Sequence, residues 1–191
     1  INSKKADGKN TGQARLIREP RTTEQWEGHL SGKGDSVGII PINEDNQCKW
    51  GCIDIDQYPL DHKRLIEKID HAKVPLVVCR SKSGGAHCFL FTSEWISAKL
   101  MQDTLQHISA GLGYGGSEVF PKQVKLFLDR GDVGNFLNLP YYDAEDGLRY
   151  AVNKDGTAAT LSEFFDIYTA AVQTKEQVEA ITHQSIDDTP I

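Results

Sequence analysis

The feature that most constrains the fold of this chain is a pair of aspartates ending an apolar segment, Trp50-Gly51-Cys52-Ile53-Asp54-Ile55-Asp56. The aromatic, β-branched and thiol side chains of this segment favour a β-strand that is at least half buried. Because side chains alternate between the two faces of a strand, both carboxylates are expected to point the same way. Two adjacent carboxylates in apolar surroundings are unfavourable unless a cation compensates them. The pair therefore predicts a site for Mg²⁺ or Mn²⁺, which take oxygen ligands; the alternative is a strand-end turn with two solvated acids.

Composition narrows the class of protein. The chain has 191 residues, 39% hydrophobic and 25% charged, which suits a soluble globular protein with one full core. No apolar run approaches the roughly 20 residues of a membrane span, so no membrane contact is predicted. The net charge of -6 argues against a generic nucleic-acid coat protein, but not against an enzyme that acts on nucleic acid. The four cysteines form no Cys-x-x-Cys pair, and reduced, mostly buried thiols predict a cytoplasmic protein.

The chain divides into three predicted parts. Residues 1–14, rich in Lys, Gly, Asn and Ser, are typical of a mobile lead-in. Residues 15–174 form the folded domain, and residues 175–191 form a C-terminal helix and tail. The chain starts at Ile1 rather than Met, which predicts a fragment of a longer protein with a further domain after the tail.

The order of the predicted elements indicates an α+β fold with a mixed or antiparallel central sheet and flanking helices. Helices are predicted from Thr22 to the glycines at 32–34, and over residues 61–72, 97–110, 161–172 and 175–181. Strands are predicted over residues 37–42, 49–56, 76–80, 87–92, 118–120, 124–128 and 136–141. The strand at 49–56 is expected to form a hairpin with the strand at 37–42.

The loop Arg80-Ser81-Lys82-Ser83-Gly84-Gly85-Ala86-His87 is a candidate phosphate-binding segment. Its glycines allow close approach of the backbone, its hydroxyls and amides can bond phosphate oxygens, and Arg80 and Lys82 supply positive charge. The alternative is an ordinary Gly-Gly hairpin turn. For His87, the alternative is a histidine that is hydrogen-bonded at a sheet edge.

Two later segments carry further candidates. Glu118 starts a short apolar strand, a suitable place for a third carboxylate, although a structural or solvated Glu is the alternative. Asn135 and Asn138 put amides in an apolar strand, and buried amides need hydrogen-bond partners. A base, sugar or phosphate is one candidate partner, and the backbone of a neighbouring loop is the other.

These motifs, in this order, resemble the archaeo-eukaryotic primase superfamily, and within it the primase-polymerases of mobile elements and of TOTE conflict systems. Asp54 and Asp56 match the Asp-x-Asp strand of that family, and Gly85-Ala86-His87 matches its Ser-x-His motif. Glu118–Gln123 matches the Glu-x-Phe-Pro-Lys-Gln segment of the TOTE-like branch, and Gly134–Pro140 matches its Gly-Asn-x-x-Asn-Leu-Pro segment. The likeness spans roughly residues 26–142.

The resemblance implies an RRM-like primase-polymerase core that catalyses template-directed nucleotidyl transfer, as a primase, a DNA polymerase or both. Asp54, Asp56 and Glu118 would be the catalytic ligands of Mg²⁺ or Mn²⁺. The implied partners are a single-stranded DNA template, nucleoside triphosphates, and a helicase domain or subunit. The implied nucleotide-binding residues are Arg80, Lys82, Ser83, Gly85, His87, Lys122, Gln123, Asn135 and Asn138.

The chain departs from the family pattern at two positions. Gly85 replaces the family's serine, so Ser83 or backbone amides would have to contact the phosphates. Glu118 stands where many relatives have Asp, and Asp129 and Asp132 are rival third ligands. Two other functions therefore remain: a metal-dependent nuclease that uses the same carboxylates, and a non-catalytic module that binds nucleotides or DNA.

Overall fold

The protein, seen in a computed structural model, is described for residues 14–186 and for the backbone of residues 3–4 and 10–11. This part of the chain is an α+β structure with five α-helices and antiparallel sheets, as predicted. The helices are α1 (Thr23–Leu30), α2 (His62–Ala72), α3 (Ala98–Gly111), α4 (Leu161–Ala171) and α5 (Lys175–Ile181). The strands are β1 (Ser3–Lys4), β2 (Asn10–Thr11), β3 (Gly38–Ile39), β4 (Gln47–Ile55), β5 (Val77–Arg80), β6 (Ala86–Ser97), β7 (Glu118–Phe120) and β8 (Leu137–Asn138). Most of the predicted lead-in, and the tail after residue 186, lie outside the described residues.

The central sheet has four antiparallel strands in the order β5-β6-β4-β7, so β4 lies inside it with a neighbour on each side. β4 is the apolar strand that ends at the aspartates. It pairs with β6 along almost its whole length, with one irregularity between Cys48 and Trp50, and with β7 over its last residues. Because β4 is hydrogen-bonded on both edges, its register, and with it the facing of every side chain, is fixed.

The two faces of the sheet are covered differently. On one face, Ile53 and Leu90 pack against α2 and α3, with Leu65 and Leu105 among the fully buried residues. The other face carries Cys52, Val77, Cys79, Phe89 and Phe120. The α4 side chains that pack against it are Leu161, Phe164, Ile167 and Ala171. The ring of Phe164 contacts that of Phe91, far along β6 from its first residue, Ala86. This ring contact therefore lies away from the end of the face that holds the aspartates.

Local sequence signals account for the helix boundaries. Thr22 and Gln25 form a capping box at the start of α1, and Asp61 caps α2 by accepting a hydrogen bond from the Arg64 amide. α2 ends at Lys73, which adopts the left-handed conformation two residues before Pro75. The predicted helices at 61–72, 97–110, 161–172 and 175–181 are confirmed to within one or two residues.

Two strand predictions are wrong. β3 does not form a hairpin with β4 but pairs with β8, in a separate two-stranded sheet. Both edges of β4 are taken by the longer-range partners β6 and β7, so no edge is left for β3. Residues 124–128 form no strand, since Leu126 turns inwards to pack with Ile42 and a short 3₁₀ helix, Leu128–Arg130, follows. The predicted strands at 37–42 and 136–141 are reduced to Gly38–Ile39 and Leu137–Asn138.

The four cysteines are buried and free of disulfide bonds. Burial raises the pKa of the Cys48 and Cys88 thiols to about 12, which keeps them protonated and inert. Over residues 14–186, no helix combines the length and apolar character needed to cross a membrane.

Gly51 sets how closely α3 approaches the sheet. A Cβ at this position would come within 2.6 Å of Leu105 Cδ1 and of the Phe120 carbonyl oxygen. We expect Gly51→Ala to lower the free energy of unfolding by about 1–3 kcal/mol, the usual effect of overpacking a core. Urea or thermal unfolding measures the change, and Gly116→Ala, where an added Cβ meets nothing within 4 Å, is the matched control. Equal stability of the two variants would contradict this account of the packing.

Candidate active site

Strand register brings the separated sequence motifs into one row across the sheet. Asp54 on β4 lies directly opposite His87 on β6 and opposite Glu118 on β7. Directly opposed residues on antiparallel strands project from the same face. Asp56 follows two residues later, just beyond the end of β4, so the alternation of the strand brings it towards the same side.

The Asp54 carboxylate is partly buried, and one of its oxygens is buried without a bonded partner. Its side chain is only 16% exposed, and its Oδ1 atom has no hydrogen-bond partner. His87 Nε2 is 3.5 Å from this oxygen, which is too long for a good hydrogen bond. Burial, followed by the negative charges of Asp56 and Glu118, raises the pKa of Asp54 to about 6, while Lys122 acts in the opposite direction. An ionised Asp54 therefore lacks a cation within bonding distance in the described part of the chain.

His87 does not supply the missing charge. Burial lowers the pKa of His87 to about 4, with Asp56 opposing the shift and Arg149 adding to it. The imidazole is therefore neutral near pH 7, when Asp54 is ionised. A neutral imidazole with one N–H can act as a hydrogen-bond donor to a ligand without repelling a metal ion.

The other two carboxylates already have partners. The Tyr58 hydroxyl donates a hydrogen bond of 2.7 Å to Asp56 Oδ1. Glu118 Oε2 forms an ion pair of 2.7 Å with Lys122 Nζ, although the Glu118 side chain is 63% exposed. Of the rival third ligands, Asp132 accepts a hydrogen bond from the Phe127 amide, and Asp129 lies in the exposed 3₁₀ helix. The register of β4 and β7 places Glu118, rather than either rival, beside Asp54.

Among the described residues, no three His, Cys, Asp or Glu side chains form a group that could hold a metal ion. Asp56 and Glu118 are instead each bonded to a neighbour, Tyr58 and Lys122. The donor set nevertheless fits a hard divalent cation, because it consists of carboxylate oxygens, one of them buried and unpaired. Rotation of the exposed Glu118 side chain away from Lys122 is the change that would bring it to the aspartates.

The predicted phosphate-binding loop forms a tight turn beside this row. The Ser81 amide donates to the Gly85 carbonyl at 2.9 Å, and Lys82 and Ser83 are exposed at the tip of the turn. Gly85 has no space for a side chain, because a Cβ would overlap the Ile55 carbonyl oxygen. The turn therefore keeps its backbone close to the end of β4.

Arg80 does not share the face of His87. Arg80 lies opposite Ala86, whereas the preceding residue, Cys79, lies opposite His87. Because side chains alternate along a strand, Arg80 projects from the other face. Its guanidinium donates to the Leu148 carbonyl at 3.0 Å and to the Ser81 carbonyl at 3.3 Å. These bonds give Arg80 a role in fixing the turn.

The remaining predicted nucleotide contacts lie farther along the chain. Gln123 and Asn135 bond to each other, since the Gln123 side-chain amide donates to Asn135 Oδ1 and the Asn135 backbone amide donates to Gln123 Oε1. This pair connects the segment after β7 to the start of the Gly134–Pro140 motif. Asn138 is exposed in β8, opposite Gly38.

Sequence reasoning missed three residues that shape the site. Tyr58 bonds Asp56 and also contacts Ser83, and its position two residues after Asp56 was the signal for it. His62, the first residue of α2, bonds the Gly85 carbonyl through Nε2 at 3.0 Å. Arg149, which also bonds Ser36, lies close enough to His87 to lower the pKa of that histidine. No local motif marks His62 or Arg149.

The uncompensated charge of Asp54 leads to a prediction about stability. Its pKa is 3.8 in an unfolded chain and about 6 in the fold, so the folded state binds the proton more tightly. The contribution of Asp54 to the stability of the metal-free protein should therefore fall as pH rises from about 4 to about 6, whereas the lowered pKa of His87 acts in the opposite direction, so the effect of Asp54 is isolated by substitution. We expect Asp54→Asn to raise the free energy of unfolding at pH 7.5 on the order of 2 kcal/mol, and to change it little at or below pH 4.

Urea unfolding in EDTA at the two pH values measures this effect. Asp56→Asn is the control, because Asp56 is exposed and hydrogen-bonded, and it should change stability less. A loss of stability in Asp54→Asn at pH 7.5 would show that the Asp54 carboxylate has a stabilising partner.

Comparison with known proteins identifies the family of this chain. Residues 2–189 match the family model described as TOTE conflict system, Archaeo-Eukaryotic Primase domain. A search of curated proteins finds no match to this chain. The match covers nearly the whole sequence, and the row of Asp54, His87 and Glu118 lies within it. The chain therefore belongs to the archaeo-eukaryotic primase domain family of TOTE conflict systems.

Proposed function

We propose that this domain is a DNA-directed primase-polymerase, a nucleotidyltransferase that uses Mg²⁺ or Mn²⁺ to join nucleotides from nucleoside triphosphates. Membership of the family supports nucleotidyl transfer in general. The observation that carries the specific proposal is the unpaired, buried oxygen of Asp54 between His87 and Glu118. Burying an ionised oxygen with no partner is costly, and a divalent cation is the partner that carboxylates in this arrangement suit.

The topology supports an RRM-like catalytic core. The elements β4-α2-β5-β6-α3-β7 follow the β-α-β-β-α-β order of ferredoxin-like folds. Both helices of this unit cover one face of the sheet, which leaves the opposite face for ligands. Asp54, His87 and Glu118 all belong to that opposite face.

The residues of the site would have two roles in the reaction, holding the metal ions and binding the triphosphate. Asp54, Asp56 and Glu118 would hold the divalent ions, which when bound supply Lewis-acid activation of the 3′-hydroxyl and offset the charge of the triphosphate. His87 and the turn residues Lys82 and Ser83 would bind the triphosphate. In the reaction, the 3′-hydroxyl loses its proton to solvent and its oxygen forms a bond to the α-phosphorus. The bond from that phosphorus to the bridging oxygen breaks, and pyrophosphate leaves with that electron pair.

Lys122 has a second role in this scheme. Its ammonium is 2.7 Å from Glu118 Oε2, so in the free protein it offsets the charge of that carboxylate. When Glu118 turns to the aspartates, Lys122 is released near Asp54, whose pKa it already lowers. A lysine freed in this way can bond the triphosphate as a point charge.

Loss of either aspartate should abolish synthesis. We expect Asp54→Asn and Asp56→Asn each to reduce nucleotide incorporation by more than the roughly 100-fold that follows loss of a group supporting a metal ligand. The assay supplies a labelled single-stranded DNA template, primed or unprimed, with ribo- or deoxynucleoside triphosphates and Mn²⁺. Asp103→Asn, which removes an ion pair with Lys99 on α3, is the control and should retain activity.

The same assay separates the competing functions. Lengthening of the labelled strand supports the polymerase, and shortening that requires the same aspartates supports a metal-dependent nuclease. Binding of nucleotide without incorporation on any template supports a non-catalytic module. Full synthesis by Asp54→Asn would refute the proposed assignment of the site.

A single-stranded template is the proposed partner, and the segment after β7 is the proposed surface for it. Because β7 is antiparallel to β4, the chain after Glu118 runs along the edge of the sheet towards the first residue of β4. At the far end of this segment, the Leu126 amide donates to Asn46 Oδ1, just before β4. Phe127 is 41% exposed there, with Lys125 Nζ 5.4 Å and the Arg130 guanidinium 4.7 Å from its ring centroid. Exposed aromatic rings flanked by cations suit the stacking of unpaired bases.

Phe127→Ala tests this surface. Stacking on an aromatic ring contributes about 1–3 kcal/mol per base, so we expect affinity for single-stranded DNA to fall roughly tenfold. Fluorescence anisotropy at fixed salt measures the change. Phe165→Ala removes a more exposed ring on α4, which lies beside the Phe164 ring, and should leave DNA affinity unchanged. Equal losses in the two variants would contradict a specific role for Phe127.

A further inference from the structure

Two buried side-chain oxygens in the described part of the chain have no hydrogen-bond partner: Asp54 Oδ1 and Ser81 Oγ. The proposed metal site accounts for the first of them. Nothing in that site accounts for the second, and Ser81 is only 6% exposed. Leaving a buried hydroxyl unpaired is unfavourable, and an alanine would fill nearly the same space without that cost.

The position of Ser81 ties it to the same face as Asp54. Cys79 lies opposite His87 across β5 and β6, and Ser81 is two residues beyond Cys79. Alternation along the strand therefore directs Ser81 to the face of His87, one step closer to the turn. The Ser81 amide bonds the Gly85 carbonyl, and the Ser81 carbonyl accepts from the Gly84 amide, so its backbone closes the turn and is held in place.

Gly85 explains why a hydroxyl is needed at Ser81. A side chain at position 85 would overlap the Ile55 carbonyl oxygen, so no serine can occupy that position in this arrangement. The Cβ of such a side chain would lie only 3.4 Å from Ser81 Oγ. Ser81 thus places a hydroxyl next to position 85, which cannot itself carry a side chain.

We propose that Ser81 is a nucleotide-binding residue whose hydroxyl donates a hydrogen bond to a phosphate oxygen of the triphosphate. This assignment rests on the proposed function. A serine side chain has three staggered positions about χ1, so a hydroxyl that is buried in the free protein can turn to a ligand in the adjoining turn. On this proposal, the Ser81 hydroxyl is unpaired in the free protein because its hydrogen bond forms only when nucleotide is bound.

The proposal gives Ser81→Ala an unusual pair of effects. The variant should unfold at the same temperature as the wild type or higher, because it removes an unpaired buried hydroxyl. Its affinity for a deoxynucleoside triphosphate with Mn²⁺, and for inorganic triphosphate used as a competitor, should fall about tenfold, since hydrogen bonds to charged groups are among the stronger ones.

Ser109→Ala is the matched control. Ser109 is also buried, but its hydroxyl donates a bond of 2.6 Å to the Tyr114 carbonyl on the other side of the sheet from the site. This variant should unfold at a lower temperature and bind both phosphate probes as the wild type does. The two serines therefore predict opposite outcomes in stability and binding.

The outcomes are distinguishable. Wild-type binding of the two probes with unchanged binding in Ser81→Ala would overturn the assignment of Ser81 and leave the proposed function standing. A lower unfolding temperature in Ser81→Ala with unchanged affinity would identify a structural hydroxyl and also overturn it. Failure of the wild-type protein to bind either probe would overturn the proposed function and this assignment together.

Discussion

The pairing of β4 with a strand on each side is the constraint on which the rest of the structure depends. It sends Ile53 and Ile55 to the face covered by α2 and α3, and Cys52 and Asp54 to the other face. A slip of one residue would exchange these sets and place Asp54 in the apolar core. Because pairing with β6 and β7 fixes the register of β4, the fold can tolerate an ionisable side chain at position 54. The same pairing places His87 on one side of Asp54 and Glu118 on the other.

The three carboxylates differ in how the free protein compensates them. Asp56 has Tyr58, and Glu118 has Lys122, but Asp54 has only a neutral imidazole at 3.5 Å. The partners of Asp56 and Glu118 are exposed side chains that can leave at little cost, whereas Asp54 is fixed by its strand. A cation entering the site would therefore gain most from Asp54 and would exchange places with Tyr58 and Lys122 at the other two. This asymmetry favours a site that assembles around its ligand over one that is complete beforehand.

Sequence predicted the elements whose signals are local and failed where pairing is decided at long range. Helix caps such as Thr22 and Asp61 lie beside the segments they start, so the helices were predictable. β3 and β8 have two residues each and too little pattern to reveal that they pair across about a hundred residues. The strand alternation brought Asp54 and Asp56 together, but only the register of β7 shows that Glu118 lies opposite Asp54. Arg149 and His62 reach the site through tertiary contacts that no motif marks.

The uneven cover of the sheet explains where chemistry can occur. α4 packs over the part of the second face that holds Phe91, through Phe164 and Tyr168. These ring contacts lie at Phe91, away from the end of the face that holds Asp54 and the Ser81–Gly85 turn. Both unpaired buried oxygens of the described chain lie at this end. Unpaired polar atoms scattered through a core would indicate poor packing, but two on one face, in neighbouring rows, indicate a place where the fold keeps hydrogen-bonding capacity for a ligand. A triphosphate with its divalent cations is a ligand that would satisfy a carboxylate oxygen and a hydroxyl at once, since the cation takes the first and a phosphate oxygen the second.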